Sequence, residues 1–167
     1  MPHIEMILEM AKMQKKLDKA LLEKGKALGK IEAYDRERTI FAFIDEIGEM
    51  VHALKGNWCW WKATQKPVDR QKVLEELVDV WHFGLSLDNN NPIDMELRYH
   101  HEWIQMPSCN MHVIKKINST IKAAIVGYLV VPELYKLTYA LDFTMDDVYP
   151  AYIKKNKENY ERIERGY

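Results

Sequence analysis

Apolar positions along the chain recur at spacings of three and four, the period of an amphipathic helix. Ile4, Ile7, Leu8, Ala11, Leu17 and Leu21 form a first stripe, and Gly25 and Gly29 mark where that helix should end. Ile40, Phe43, Ile44, Ile47, Val51 and Leu54 form a second, followed by Gly56. A third runs Val73, Leu74, Leu77, Val80, Trp81, Gly84 and Leu87, and Asn89-Asn90-Asn91-Pro92 stops it. Asp94 to Trp103 reads as a short helix before Pro107. Asn110 is placed to cap a helix from Met111 to about Leu129, with Pro132 beyond it. Glu133 to Leu141 is another short piece. Thr144, with Asp147 three residues on, has the form of a capping box opening a last helix to about Arg165. Alternation of period two is rare. The pattern therefore predicts an all-α bundle of five or six helices, without repeat or linker, as one domain over residues 1–167.

Composition adds limits. Hydrophobic residues make up 47% and charged residues 29%, enough to bury a core without staples. A formal net charge of −1 points to neither duplex DNA nor a membrane surface. Cys59 and Cys109 make no disulfide framework. The N-terminus has no basic lead or small-residue cleavage site, and the apolar run Ala123–Pro132 falls short of the ~20 residues a bilayer needs. These features lead to the expectation of a cytoplasmic protein.

The candidate chemistry lies in paired carboxylates. Glu46-Ile-Gly-Glu49 sits on the second helix and Glu76-Leu-Val-Asp79 on the third. Residues at i and i+3 share a helix face, so each pair presents two carboxylates side by side. If the helices pack antiparallel, all four can converge. A hard divalent cation with oxygen ligands would relieve their repulsion, and Mg²⁺ typically binds substrate phosphates as well. The bland reading is a solvated acidic face, because Glu32/Asp35, Glu158/Glu161 and Glu161/Glu164 have the same spacing.

Other residues carry weaker signals. Trp58, Trp60 and Trp61 follow the second helix, then Lys62. The rings could stack on a base or simply close the end of the bundle, and the lysine could neutralise phosphate. His82, three residues after Asp79, could orient a ligand or be an ordinary hydrogen-bonded histidine. Lys154, Lys155, Asn156, Lys157, Asn159, Arg162 and Arg165 near the C-terminus could grip a triphosphate, or form a solvated basic tail.

Taken together, these segments resemble the dimeric all-α dUTPase family, including its phage-encoded dCTPase-dUTPases. The family pattern of E-x-x-E, W-K, E-x-x-D and x-x-H-F reads here as 46–49, 60–62, 76–79 and 80–83. A C-terminal signature reads Tyr152, Lys155, Asn156, Asn159, Arg162, Gly166, Tyr167, and an N-terminal glutamine segment reads Met13 to Asp18. The resemblance implies an Mg²⁺-dependent homodimer that cuts a pyrimidine deoxynucleoside triphosphate, dUTP first and dCTP as the alternative, to monophosphate and pyrophosphate. Glu46, Glu49, Glu76 and Asp79 would hold the metal and the catalytic water, with Glu46 the base. Gln14 and Asn156 would contact the pyrimidine, and a tryptophan such as Trp61 would line its pocket. Lys62, Lys155, Asn159, Arg162 and Tyr167 would bind phosphates. Asp18 departs from the family's frequent asparagine, and Ile163 from its usual glutamine. An ionised carboxylate accepts hydrogen bonds but donates none, so Asp18 leaves the choice between uracil and cytosine open.

Three rival readings stand beside this one. Glu49-Met-Val-His52 and Asp79-Val-Trp-His82 approach the Glu-x-x-His form of di-iron bundles. His100, His101, Cys109 and His112 could suggest zinc, although they lack a second tight pair. A non-catalytic helical binding protein would carry the same acidic pairs as plain surface.

Overall fold

Acidic and hydroxyl side chains start several of the helices by capping backbone groups that have no partner within the helix. Asp35 accepts a hydrogen bond from the Arg38 amide at 3.1 Å, and Asp69 one from the Lys72 amide at 3.1 Å. The backbone amide and hydroxyl of Thr144 both donate to Asp147 Oδ2 at 2.8 Å. The computed structural model describes residues 1–91 and 112–166. Over these the chain forms α1 (His3–Ala27), α2 (Arg36–Leu54), a 3₁₀ turn (Asn57–Cys59), α3 (Arg70–Asn89), α4 (Val113–Val126), α5 (Val131–Ala140) and α6 (Met145–Arg165). No strand occurs among the described residues, so the all-α expectation holds. None of these helices is long and apolar enough to cross a membrane.

Several helix ends differ from the sequence expectation, each for a local reason. Gly25 lies inside α1, which runs to Ala27; Gly29, at φ +64°, takes the left-handed turn beyond it. The fourth helix starts at Val113 and stops at Val126. Gly127 follows in the left-handed region at φ +88°, and the amides of Gly127 and Tyr128 both return to the Ala123 carbonyl. The next helix opens at Val131 instead of Glu133, because Pro132 in its first turn needs no amide partner. The helix expected over Asp94–Trp103 and the Asn110 cap lie outside the described residues, as do Tyr167 and three of the four zinc candidates, His100, His101 and Cys109.

α3 is the central element. It packs on α1, α2, α5 and α6, and its residues are buried nearly all round. Trp81 is fully buried and its indole N–H donates to Thr138 Oγ1 at 3.1 Å. Gly84 lets α5 approach closely, since a Cβ there would run into Leu134 Cδ1. Asp88, also buried, accepts from the amides of Val130 (2.8 Å) and Val131 (3.0 Å) and so caps α5 from the far end of α3. The continuous hydrophobic core draws on all six helices.

Candidate functional site

The broadest helix pair is α2 against α3. Glu46 and Glu49 of α2 lie beside Glu76 of α3, while Thr39 and Ala42 share a chamber with Phe83 and Ser86. Numbers rise along one helix as they fall along the other, so the pair is antiparallel. That is the arrangement the four carboxylates required. Carboxylate oxygens of Glu46, Glu49 and Glu76 all lie within 4.8 Å of one another. Glu76 is only 4% exposed, Glu46 is half-buried and Glu49 is open to solvent. The fourth carboxylate, Asp79, stands one turn further along α3. It is tied to Lys155 of α6 at 2.5 Å, and Lys72 pairs with Glu76 at the same distance.

The electrostatics follow from this crowding. Burial pushes Glu46 up to about 7, with the negative charges of Asp79, Glu49 and Glu76 adding to it and Lys155 drawing it down. Burial raises Asp79 as well, against the hydrogen bond and charge of Lys155. Contact with Glu76 holds Lys72 above its ordinary value. The donor set is all oxygen and overcrowded with negative charge, which suits a hard divalent cation. No histidine belongs to the trio, so nothing in it favours iron.

Beside the carboxylates, α1, α3 and α6 enclose a polar network. Gln14, 3% exposed, donates from Nε2 to Asp18 Oδ1 at 2.7 Å. Its Oε1 accepts from Tyr152 OH at 2.7 Å and lies 2.7 Å from His82 Nδ1. The His82 ring stacks on Tyr152 with centroids 4.1 Å apart. Burial, with Lys155 nearby, lowers His82 to about 3, so the imidazole is neutral. Because Gln14 Oε1 can only accept, His82 Nδ1 carries the proton and Nε2 is a bare acceptor. His82 Nε2, Asp18 Oδ2 and Asn156 Nδ2 are buried with no hydrogen-bond partner. Each of these atoms keeps hydrogen-bonding capacity that water or a ligand can take up.

Other candidates are distributed around these two centres. Lys155 and Arg162 line a groove of about 330 Å³ between α3 and α6, together with Lys72 and Lys154. Asn159 is half-buried on the same helix. Trp61 and Lys62 stand apart, past the end of α2. Trp60 and Trp61 are 85% and 60% exposed, so neither serves as core, and they meet edge to face at 6.0 Å. Lys62 lines a recess with His52, Lys55 and Lys66. Sequence reasoning gave no role to Lys72, Tyr152, Tyr34 or Ser86. The i, i+4 spacing of Lys72 to Glu76 was a readable signal, whereas Tyr34 and Ser86 join the site only through helix packing.

Helices alone, with carboxylates gathered on one seam and cations flanking them, define an all-α enzyme suited to a polyanionic substrate. A family model described as dUTPase matches residues 6–167, and the chain belongs to that family, the all-α dUTPases. It is accordingly a nucleoside triphosphate pyrophosphohydrolase, of a family that acts on dUTP or related deoxynucleotides and generally uses a divalent metal. No curated protein matches the chain.

Proposed function

We propose that this protein hydrolyses a pyrimidine deoxynucleoside triphosphate between its α- and β-phosphates in an Mg²⁺-dependent reaction, dUTP being the first substrate to assay and dCTP the second. The observation that carries this is the convergence of Glu46, Glu49 and Glu76, within 4.8 Å, on the seam where Lys155 holds Asp79. These four carboxylates would hold Mg²⁺, which neutralises the triphosphate and acidifies water when bound. Glu46, the carboxylate with the most strongly raised proton affinity of the trio's neighbourhood, accepts the proton of the attacking water at its carboxylate oxygen. A new P–O bond forms at the α-phosphorus and the bridging bond to the β-phosphate breaks. Lys155 and Arg162 take up the charge that develops on the departing pyrophosphate. The buried network of Gln14, His82, Tyr152 and Asn156 adjoins the pocket for the base through the hydrogen bond of Gln14 to Asp18.

The chain is also read as one domain that works as a homodimer. Support for the second point is Phe41, 73% exposed on the outer side of α2, in a shallow recess that it shares with Ile44, Gly48, Asp45, Glu49 and His52. Light scattering of the purified protein decides between monomer and dimer.

The reaction is tested by incubating the protein with each deoxynucleoside triphosphate, with Mg²⁺ or with EDTA, and measuring monophosphate and pyrophosphate. The expected result is Mg²⁺-dependent release from dUTP or dCTP and little from purine nucleotides. Release of inorganic phosphate instead of pyrophosphate would overturn attack at the α-phosphorus.

A further inference from the structure

Between α1, α2 and α3 lies a chamber of about 240 Å³. Leu21, Ile31 and Phe83 give it apolar walls, and Asp18, Tyr34 and Ser86 give it a polar end. Its position relative to the carboxylates follows from helix geometry. Phe83 and Ser86 lie four and seven residues beyond Asp79, or about 6 and 10 Å at a rise of 1.5 Å per residue. Ala42 lies one turn before Glu46 on the neighbouring helix. A planar ring held in the chamber would therefore be separated from the carboxylates by the length of a sugar, as a base is from its 5′-phosphate.

The polar end has a fixed sense. Asp18 Oδ1 already accepts from Gln14 Nε2, and this pins the orientation of the Gln14 amide, whose other side accepts from Tyr152. Asp18 Oδ2 and Tyr34 OH are buried without a close hydrogen bond, Ser86 being the weaker neighbour of both. Burial lifts Asp18 to about 6, partly offset by hydrogen bonding to Gln14 and, more weakly, to Ser86, so the group is mainly an ionised acceptor at neutral pH. A buried acceptor of this kind lacks one thing, an N–H donor from the ligand. Cytosine offers one at its 4-amino group, which stands at a corner of the ring with a hydrogen pointing clear of the other polar atoms. The one ring donor of uracil, N3–H, sits between two carbonyl oxygens whose lone pairs would face the carboxylate.

We propose that Asp18 makes this chamber selective for an aminopyrimidine, so that the enzyme prefers dCTP to dUTP. The assignment rests on the nucleotide-hydrolysis reading above, and two measurements separate the fates of the two. The first is kcat/KM for dCTP and dUTP with Mg²⁺, in the wild type and in Asp18→Asn. The second is calorimetric binding of dCMP and dUMP to the wild-type protein without metal. The expected wild-type preference for the cytosine nucleotide is about tenfold or more, the scale of a charge-assisted hydrogen bond gained against a buried acceptor left unpaired. Asp18→Asn, which can donate to a carbonyl, should reduce the dCTP-to-dUTP ratio by about tenfold, chiefly by improving dUTP. Equal or better use of dUTP by the wild type, or an unchanged ratio in the variant, overturns the proposal while leaving hydrolysis intact. Preferential binding of dCMP with no hydrolysis of any nucleotide upholds the chamber's selectivity and overturns the reaction. If Asp18→Asn does not fold, the wild-type ratios for triphosphates and monophosphates decide the matter on their own.

Discussion

At the scale of single residues, Glu46 concentrates the tension of the site. Its pKa is near 4.5 in the unfolded chain and is pushed up to about 7 in the folded one. The native state therefore binds the proton more tightly, and ionising Glu46 destabilises the fold. That cost is absent below about 4.5, grows as pH rises from 4.5 to 7 and is fully present above 7. Glu46→Gln should accordingly be more stable than the wild type at pH 8 in EDTA and indistinguishable near pH 4, as read from urea midpoints. The same variant should lose about 100-fold or more in kcat, the scale of general-base catalysis. A variant that is less stable than the wild type at pH 8 would show that burial and the neighbouring carboxylates do not penalise the ionised form of Glu46. The motif spacing put Glu46 on the right helix face, but its half-buried state depends on α3 lying across it.

At the scale of elements, α3 carries the most. Gly84 faces α5 at close range, and Leu134 opposite it is fully buried. Gly84→Ala gains helix propensity yet overpacks this contact. The expected net effect is a destabilisation of about 1–3 kcal/mol, measured by denaturant unfolding. Asp88 couples the end of α3 to the start of α5 through two charge-assisted hydrogen bonds. Asp88→Ala would leave two amides exposed to the core without a partner and should cost about 2–4 kcal/mol. Neither effect should change the base preference of the enzyme, because both residues lie on the α5 side of α3. The α3 stripe was legible in the sequence as an apolar repeat ending at Asn89. The role of Asp88 was not, since an aspartate near a helix end reads as solvent-facing until the next helix docks on it.

At the scale of the whole molecule, the site is assembled from helices distant in the chain, and ligand binding should stabilise the fold as a unit. Mg²⁺ at about 100 times its dissociation constant should add roughly 2.7 kcal/mol, seen as a rise in melting temperature. Glu76→Gln should abolish that rise, because the buried ligand of the trio is gone. An equal rise in both proteins would place the metal elsewhere.

What the sequence determined by itself was local. Apolar period, caps and breakers specify six of the helices, because a helix is set by residues three and four apart. The i, i+3 pairs Glu46/Glu49 and Glu76/Asp79 were readable for the same reason. Convergence was decided by tertiary structure alone. The antiparallel α2–α3 seam brings three carboxylates within 4.8 Å, and α6 delivers Lys155 to Asp79 across 76 positions of chain. The network of Gln14, Asp18, His82 and Tyr152 belongs to the same category. Its members are spread over three helices, and whether a buried polar atom is satisfied or left waiting depends on which side chains packing brings within reach, which no local spacing encodes.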